Sequence, residues 1–298
     1  MFKSSLKSYF LKRESIDEEK NIITKMEITM KKEKVVLIPK ETLVKGFKIS
    51  SFLAAIAMKI MKISKLNRFY RSLLPVKTHV ELFQKALKAR KITIDVDLEF
   101  IERLPEGPFI TLSNHAFGLL DGMILIALIR EKYSGYKITA NFLIAQLQPL
   151  KEVFIPVNPM EGADYIPMGG TKEVLKILEE GHPVGLFPAG GVATYYKGSK
   201  EIIDKPWMIS VFQLINKAKV PVLPVYFWGT NSFLFHFLGR IHPHWRTFRL
   251  FKEFFKKKNT TIRMEVGRII SPDEYNRISD LEELSEFFRS KVFNLRWK

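Results

Sequence analysis

The sequence predicts an α/β fold, a largely parallel central sheet flanked by helices and preceded by amphipathic helices. Three observations carry this. From residue 91 onward, short β-type runs alternate with stretches of helical periodicity. No internal repeat, low-complexity tract or long Gly/Ser linker interrupts that alternation. Ahead of it lie two segments whose apolar residues recur at helical spacing. The chain is therefore divided into a charged N-terminal extension (1–40), amphipathic helices (41–90) and an α/β domain (91–298).

The elements follow in order. In "ETLVKGFKISSFLAAIAMKIMKISKLNRFYRSLL", residues 41–74, the longest charge-free stretch runs from Ile49 to Met58. That is about half of the ~20 apolar residues a spanning helix needs. At 100° per residue Lys45, Lys48, Lys59 and Lys62 share roughly a 100° arc, while Leu53, Ala54, Ala57 and Met61 lie opposite. Such a helix either lies in the headgroup region of a membrane or packs its apolar face on the protein's own core. A second helix is expected from Thr78 to Arg90. "KITIDVDLEF" alternates with period two and "PFITLSN" is a β-type run, so both read as strands. "LLDGMILIALIREKYS" is apolar enough for a buried helix, and "YKITANFLIA" and "VFIPVNP" are further strands. The helix "TKEVLKILEEG" is bounded by Thr171 and Gly181. The strands "PVGLFP", "VPVLPVYF" and "TTIRMEVG" follow, and a last helix is expected at Ser279 with Glu282 completing a capping box.

Composition bounds the chemistry. A chain of 298 residues with 46% hydrophobic and 27% charged residues is that of a folded globular protein. The absence of cysteine removes disulfides, thiolate nucleophiles and cysteine-ligated zinc. A net charge of +17 predicts attraction to a polyanion, whether nucleic acid, an anionic bilayer or an acidic carrier protein. The N-terminus has no signal-peptide core before Asp17, Glu18 and Glu19, so the expectation is a cytoplasmic location.

Ligands of open α/β sheets gather at the carboxyl ends of strands. Three segments qualify. After "FITLS" come Asn114, His115 and Asp121, with Gly118 between them. A histidine can take a proton from a hydroxyl near neutral pH, and a carboxylate on its second nitrogen fixes the tautomer and stabilises the imidazolium. A base with no protein nucleophile leaves the substrate to supply the hydroxyl; the same Asp also reads as a helix cap. In "LFPAGGVATYYKGSK", Phe187 and Pro188 lead into Gly190 and Gly191, whose amides can approach an anion, with Lys197 and Lys200 nearby. Taken by itself, this block reads first as an ordinary Gly-rich turn with solvated lysines. "VLPVYFWGTNSF" places Gly229, Thr230, Asn231 and Ser232 after a buried strand, where a turn is the alternative.

In this order and at these intervals, "SNHAFGLLDG", "VFIPVNP", "LFPAGG" and "VPVLPVYFWGTNS" resemble the lysophospholipid acyltransferase family, whose best-known members are the 1-acylglycerol-3-phosphate acyltransferases. The resemblance covers about residues 91–271 and implies the glycerolipid acyltransferase-like fold. It further implies that His115 is the general base, Asp121 its orienting partner, and Phe187, Pro188 and Gly190 part of the acceptor site; Asn114, Gly118, Gly191, Lys197 and Asn231, in the same strand-end segments, are the further expected substrate-binding residues. The donor it implies is an acyl thioester on coenzyme A or acyl carrier protein (acyl-CoA or acyl-ACP), with no bound cofactor and no metal. Five residues separate His115 from Asp121 where the family usually has four, and Gly118 can absorb the extra one. Ala189 stands where the family has Glu, and no Arg follows Gly190 and Gly191, so the phosphate-binding role of that block is not carried over. Both departures look more like the bacterial branch that O-acylates lyso-ornithine or lyso-glycine lipids. The expected reaction is acyl transfer to the hydroxyl of a lyso-lipid at the cytoplasmic face of the inner membrane. The membrane-contacting residues are expected to be Lys45, Lys48, Leu53, Lys59, Met61 and Lys62.

Two other readings compete. A non-catalytic lipid-binding relative fits the altered spacing and Ala189. A nucleic-acid-binding protein fits the charge and "RTFRLFKEFFKKKN", but no recognisable nucleic-acid module accompanies it. His236, His242 and His244 lack a carboxylate at ligand spacing, no Gly-x-Ser-x-Gly elbow exists, and His79 and His182 read as structural or surface residues.

Overall fold

The computed structural model describes residues 37–41, 44, 50–141, 150–157, 168–195, 201–241 and 243–297. The expected charged extension lies almost wholly outside these residues, as do Lys45, Lys48, Lys197 and Lys200. The helices are α1 (Ser51–Ile60), α2 (Ile63–Leu73), α3 (His79–Ala89), α4 (Leu119–Ile129), α5 (Met168–Glu179), α6 (Ile209–Ala218), α7 (Phe233–Ile241), α8 (Pro243–Lys256), α9 (Pro272–Tyr275) and α10 (Leu281–Phe293). The strands are β1 (Thr93–Asp95), β2 (Ile110–Ser113), β3 (Lys137–Asn141), β4 (Phe154–Val157), β5 (Val184–Leu186), β6 (Thr194–Tyr195), β7 (Ile202–Ile203), β8 (Val222–Phe227) and β9 (Thr261–Val266).

Seven strands form one sheet in the order β1-β9-β8-β2-β5-β3-β4, and β6 and β7 make a small antiparallel ribbon. From β8 to β4 every pairing is parallel; β9 runs antiparallel to β8 and parallel to β1. The expected α/β architecture is thus present. Strands β2, β5 and β8 are buried along their whole length, because helices cover both faces of a parallel sheet. Alternate residues serve the two layers. Leu223, Val225 and Phe227 of β8 join a cluster with Leu66, Phe83, Ile124 and Phe254 from α2, α3, α4 and α8. Val222, with Ile110 and Leu112 of β2, joins one with Val174, Phe212 and Phe288 from α5, α6 and α10. The helices before residue 91 therefore share their core with the sheet.

Three local readings are corrected. The helix expected across residues 41–74 breaks at Lys62, whose φ of 56° is left-handed and separates α1 from α2. Within α1 the expected apolar arc is narrowed at one edge. Ala54 and Met61 are buried in the core, whereas Leu53 points outward together with Phe52, Ile56 and Ile60. The strand expected through "KITIDVDLEF" ends at Asp95, because Asp97 accepts the Glu99 amide at 2.9 Å and opens a 3₁₀ turn over Leu98–Ile101. The last helix is capped by Asp280, whose Oδ1 accepts the Glu283 amide at 2.8 Å, rather than by Ser279.

Asp280→Ala should lower stability by about 1 kcal/mol in urea unfolding, the usual loss for a removed N-cap. Ser279→Ala should stay within about 0.5 kcal/mol of the parent.

Candidate active site

Because β2, β5 and β8 are parallel neighbours, the three sequence segments leave the same edge of the sheet. His115 follows β2, Phe187 and Pro188 follow β5, and Gly229 to Ser232 follow β8. The crossover connections place side by side what the sequence separates.

The His115 Nδ1 and the Asp121 Oδ2 are 3.0 Å apart. The same carboxylate oxygen accepts the amides of Phe117 at 2.9 Å and Gly118 at 3.0 Å. Asp121 is fully buried, and in that setting an unpaired charge is costly, so these donors hold the carboxylate in place. It lies in the first turn of α4, where the free amides and the helix dipole favour a negative charge. One side chain therefore caps the helix and orients the imidazole. Gly118 absorbs the extra residue of the spacing as the N-cap of α4, with φ 85° and ψ −115°, a region essentially restricted to glycine. A Cβ there would also meet Leu250 Cδ1 at 2.7 Å.

The imidazole itself is 17% exposed. Among the described residues its Nε2 has no hydrogen-bond partner, and one ring face packs on Phe187 with centroids 4.2 Å apart. The backbone of His115 is held from two directions. Its carbonyl accepts the Ala193 amide at 2.8 Å, and its amide donates to Asp204 Oδ1 at 3.1 Å. Asp204 also accepts the Trp207 indole N–H at 3.1 Å. Burial pushes its carboxyl up to about 6 against the opposing effect of these donors and the nearby His115 and Arg289 charges. Lys257 stands on the other side of the site, 4.5 Å above the Phe117 ring, donating to the Thr230 carbonyl at 2.6 Å. Burial lowers the Lys257 ammonium, while the charges of Glu253 and Asp121 act to raise it.

The remaining expected residues divide by geometry. Gly190 has φ 61° and lies beside Met208, close to Phe187 in the turn after β5, where the Gly190 amide donates to the Phe187 carbonyl at 3.0 Å. Gly191 is half-buried in the same turn, and Lys197 lies outside the described residues. Ala189 is buried in the apolar cluster that contains Trp207 and Val211. Asn114 and Asn231 brace loops. The Asn114 carboxamide bonds both backbone groups of Phe227, at 3.0 and 2.7 Å, and Asn231 Nδ2 donates to the Phe117 carbonyl at 3.3 Å. Neither Asp204 nor Lys257 was singled out from sequence. Asp204 sits in an irregular "IIDKP" stretch and Lys257 within a run of lysines, so no local pattern marks either one.

A family model described as "Acyltransferase" matches residues 47–298, most of the chain. The chain belongs to the acyltransferase family. This acyltransferase is 26% identical over 212 residues to the lyso-glycine lipid O-acyltransferase of Bacteroides thetaiotaomicron, an alignment covering 67% of this chain and 75% of that one. The crystal structure of the 1-acyl-sn-glycerophosphate acyltransferase PlsC from Thermotoga maritima aligns over 86% of both chains, with 15% identity and a TM-score of 0.47. The family match begins ahead of α1, so the N-terminal helices of the enzyme fall within it.

Asp204 gives the acyltransferase a pH signature. The unfolded carboxyl loses its proton near 4 and the folded one near 6, so between these values the folded state binds more protons. Stability should fall as pH rises through that window, by on the order of 3 kcal/mol, and level off above it. Thermal unfolding of Asp204→Asn against the parent should show this slope removed in the variant.

Proposed function

We propose that the enzyme O-acylates a lyso-lipid at a membrane surface, with His115 as general base and Asp121 orienting it. The observation that carries this reading is the buried Asp121 carboxylate 3.0 Å from His115 Nδ1, with the other ring nitrogen left for a substrate. With Nδ1 held as the donor to Asp121, Nε2 is the acceptor face of the neutral ring. It takes the proton of the acceptor hydroxyl as the oxygen attacks the thioester carbonyl, and Asp121 stabilises the resulting imidazolium. Collapse of the tetrahedral intermediate breaks the carbon–sulfur bond, and the imidazolium returns its proton to the leaving thiolate. The amides of Phe117 and Gly118 are engaged by Asp121 and that of His115 by Asp204, so the oxyanion draws its donors from elsewhere.

The donor in this reading is acyl-CoA or acyl-ACP, both cytoplasmic thioesters, which puts the site on the cytoplasmic side of its membrane. The relative named as a lyso-glycine lipid O-acyltransferase, the five-residue spacing and Ala189 support a lyso-aminolipid acceptor over a lysophosphatidate. The exposed face of α1, with Phe52 at 74%, Leu53 at 51% and Lys59 beside them, supports contact with a bilayer. Among the described residues no helix is long and apolar enough to cross one. A small apolar cavity of about 50 Å³ supports a place where an alkyl chain could begin to enter. It is lined by Leu119 and Met123, on the face of α4 opposite Asp121, and by Tyr70, Phe83, Ala86 and Phe254.

Incubating the purified enzyme with a panel of lyso-lipids and both donor types, then weighing the products by mass spectrometry, tests the reaction. His115→Ala should lower turnover about 10²–10⁴-fold; unchanged turnover would overturn the mechanism. In the same assay Ala86→Phe should shift the product distribution toward shorter acyl chains by filling the cavity, and an unaltered distribution would place the chain elsewhere.

A further inference from the structure

Helix α7 carries a second exposed apolar ridge that the chemistry of the site does not use. Phe233 is 73% exposed, Leu234 42%, Phe237 46% and Ile241 53%, and the rings of Phe233 and Phe237 stack with centroids 6.0 Å apart. At 100° per residue these four share roughly a 100° arc of the helix, and the exposed Arg240 borders it. The opposite face is fixed to the site. His236 is buried and its Nε2 lies 2.7 Å from the Thr230 hydroxyl, in the loop whose Asn231 bonds the Phe117 carbonyl. What seats α7 therefore also positions the loop beside His115.

Helix α8 packs against both α7 and α1. Its inner face buries Phe251, Phe254 and Phe255, and its outer face carries Lys252 and the exposed Lys256, while Arg249 is largely buried against Glu253, with which Lys256 also pairs. The Lys252 ammonium is held below the usual lysine range first by desolvation and then by Arg249, Lys62 and Lys256, so these cations lie within reach of one another. Glu253 on the same face is buried, accepting the Ser232 amide and hydroxyl at 2.9 and 2.8 Å. A band of positive charge thus runs along the helix that connects the two exposed ridges.

We infer that the α7 ridge is a second bilayer contact, which together with the α1 ridge and the basic band of α8 seats the mouth of the site on an anionic membrane. This deepens, and rests on, the reading of the enzyme as acting on a lipid at a membrane surface. Charge complementarity selects the occupant. A second copy of the chain would bring the same cations face to face, and an acidic carrier protein would match the band but leave two apolar ridges in water. An anionic bilayer takes both: the aromatic and aliphatic side chains enter the acyl boundary while the lysines and arginines meet headgroup charge.

The test uses the full-length protein, flotation with phosphatidylglycerol/phosphatidylcholine vesicles and with phosphatidylcholine alone, and two double variants. Phe233→Ser/Phe237→Ser alters α7 and Phe52→Ser/Ile56→Ser alters α1; thermal unfolding confirms that each variant folds. Each should weaken partition into anionic vesicles about tenfold or more, the combined variant further still, and the neutral vesicles should bind the parent weakly. Turnover of the α7 variant on a short-chain lyso-lipid dispersed below its micelle concentration should stay within about twofold of the parent. Parent-like partition of the α7 variant overturns the inference. So does a parent dimer in sedimentation that the α7 substitutions dissolve, or loss of acyl carrier protein binding with vesicle binding intact. If the vesicle results hold while the parent transfers no acyl chain to any acceptor, the ridge is supported and it is the proposed reaction that falls.

Discussion

A single carboxylate oxygen fixes the geometry on which the rest depends. Asp121 Oδ2 gathers two amides and an imidazole nitrogen in a fully buried position. Charge-assisted hydrogen bonds of this kind are stronger than neutral ones, and removing a donor leaves part of a buried charge unsatisfied. The arrangement needs the chain to turn back between His115 and the helix that carries Asp121. Gly118 makes that turn in a conformation that side chains avoid, and Leu250 and Val192 close over the place a Cβ would occupy. The imidazole is thus positioned by a helix cap, and the cap is possible because α4 begins immediately after the glycine.

The sheet supplies the second constraint, from the backbone side. His115 cannot shift without breaking the bonds to Ala193 and Asp204, which come from the chain between β5 and α6. Asn114, one residue earlier, extends the pairing of β2 with β8 by bonding both backbone groups of Phe227. Asn114 is thus tied to β8, and His115 itself to the segment after β5. Parallel order across β8, β2 and β5 makes this possible, since it delivers all three chain ends to one edge.

What could be read from sequence follows the same division. Periodicity and the apolar runs gave the strands and the buried α4, and the His-Asp pair was visible because both members lie within one turn-and-helix segment. Asp204 is 89 residues from the amide it holds, and nothing in "IIDKP" announces a buried acid. Asn114 and Asn231 were expected at the substrate because polar residues after strands often are. Here each is nearly buried and used by a neighbouring loop. On α1 the apolar arc is narrower than expected: Ala54 and Met61 are buried, while Leu53 at its edge turns outward to join Phe52, Ile56 and Ile60, and the left-handed Lys62 then separates α1 from α2. Backbone sign at one lysine is not encoded in hydrophobic spacing.

The charge of the molecule is arranged by depth as well as by number. The acids closest to the site, Asp121, Asp204 and Glu253, are all nearly buried and engaged by donors. Lys62, Lys252 and Lys256 lie toward solvent, as do the exposed Phe52 and Phe233 ridges. A carboxylate at the surface between those ridges would cancel the band and repel anionic headgroups; inside, the same charge orients a base or holds a loop without contributing to the outer field as strongly. In the proposed reading, where the enzyme takes its acceptor from a bilayer and His115 acts as base, this segregation reconciles two demands that otherwise conflict. The proton chemistry needs negative charge beside the imidazole, and the membrane needs none facing it.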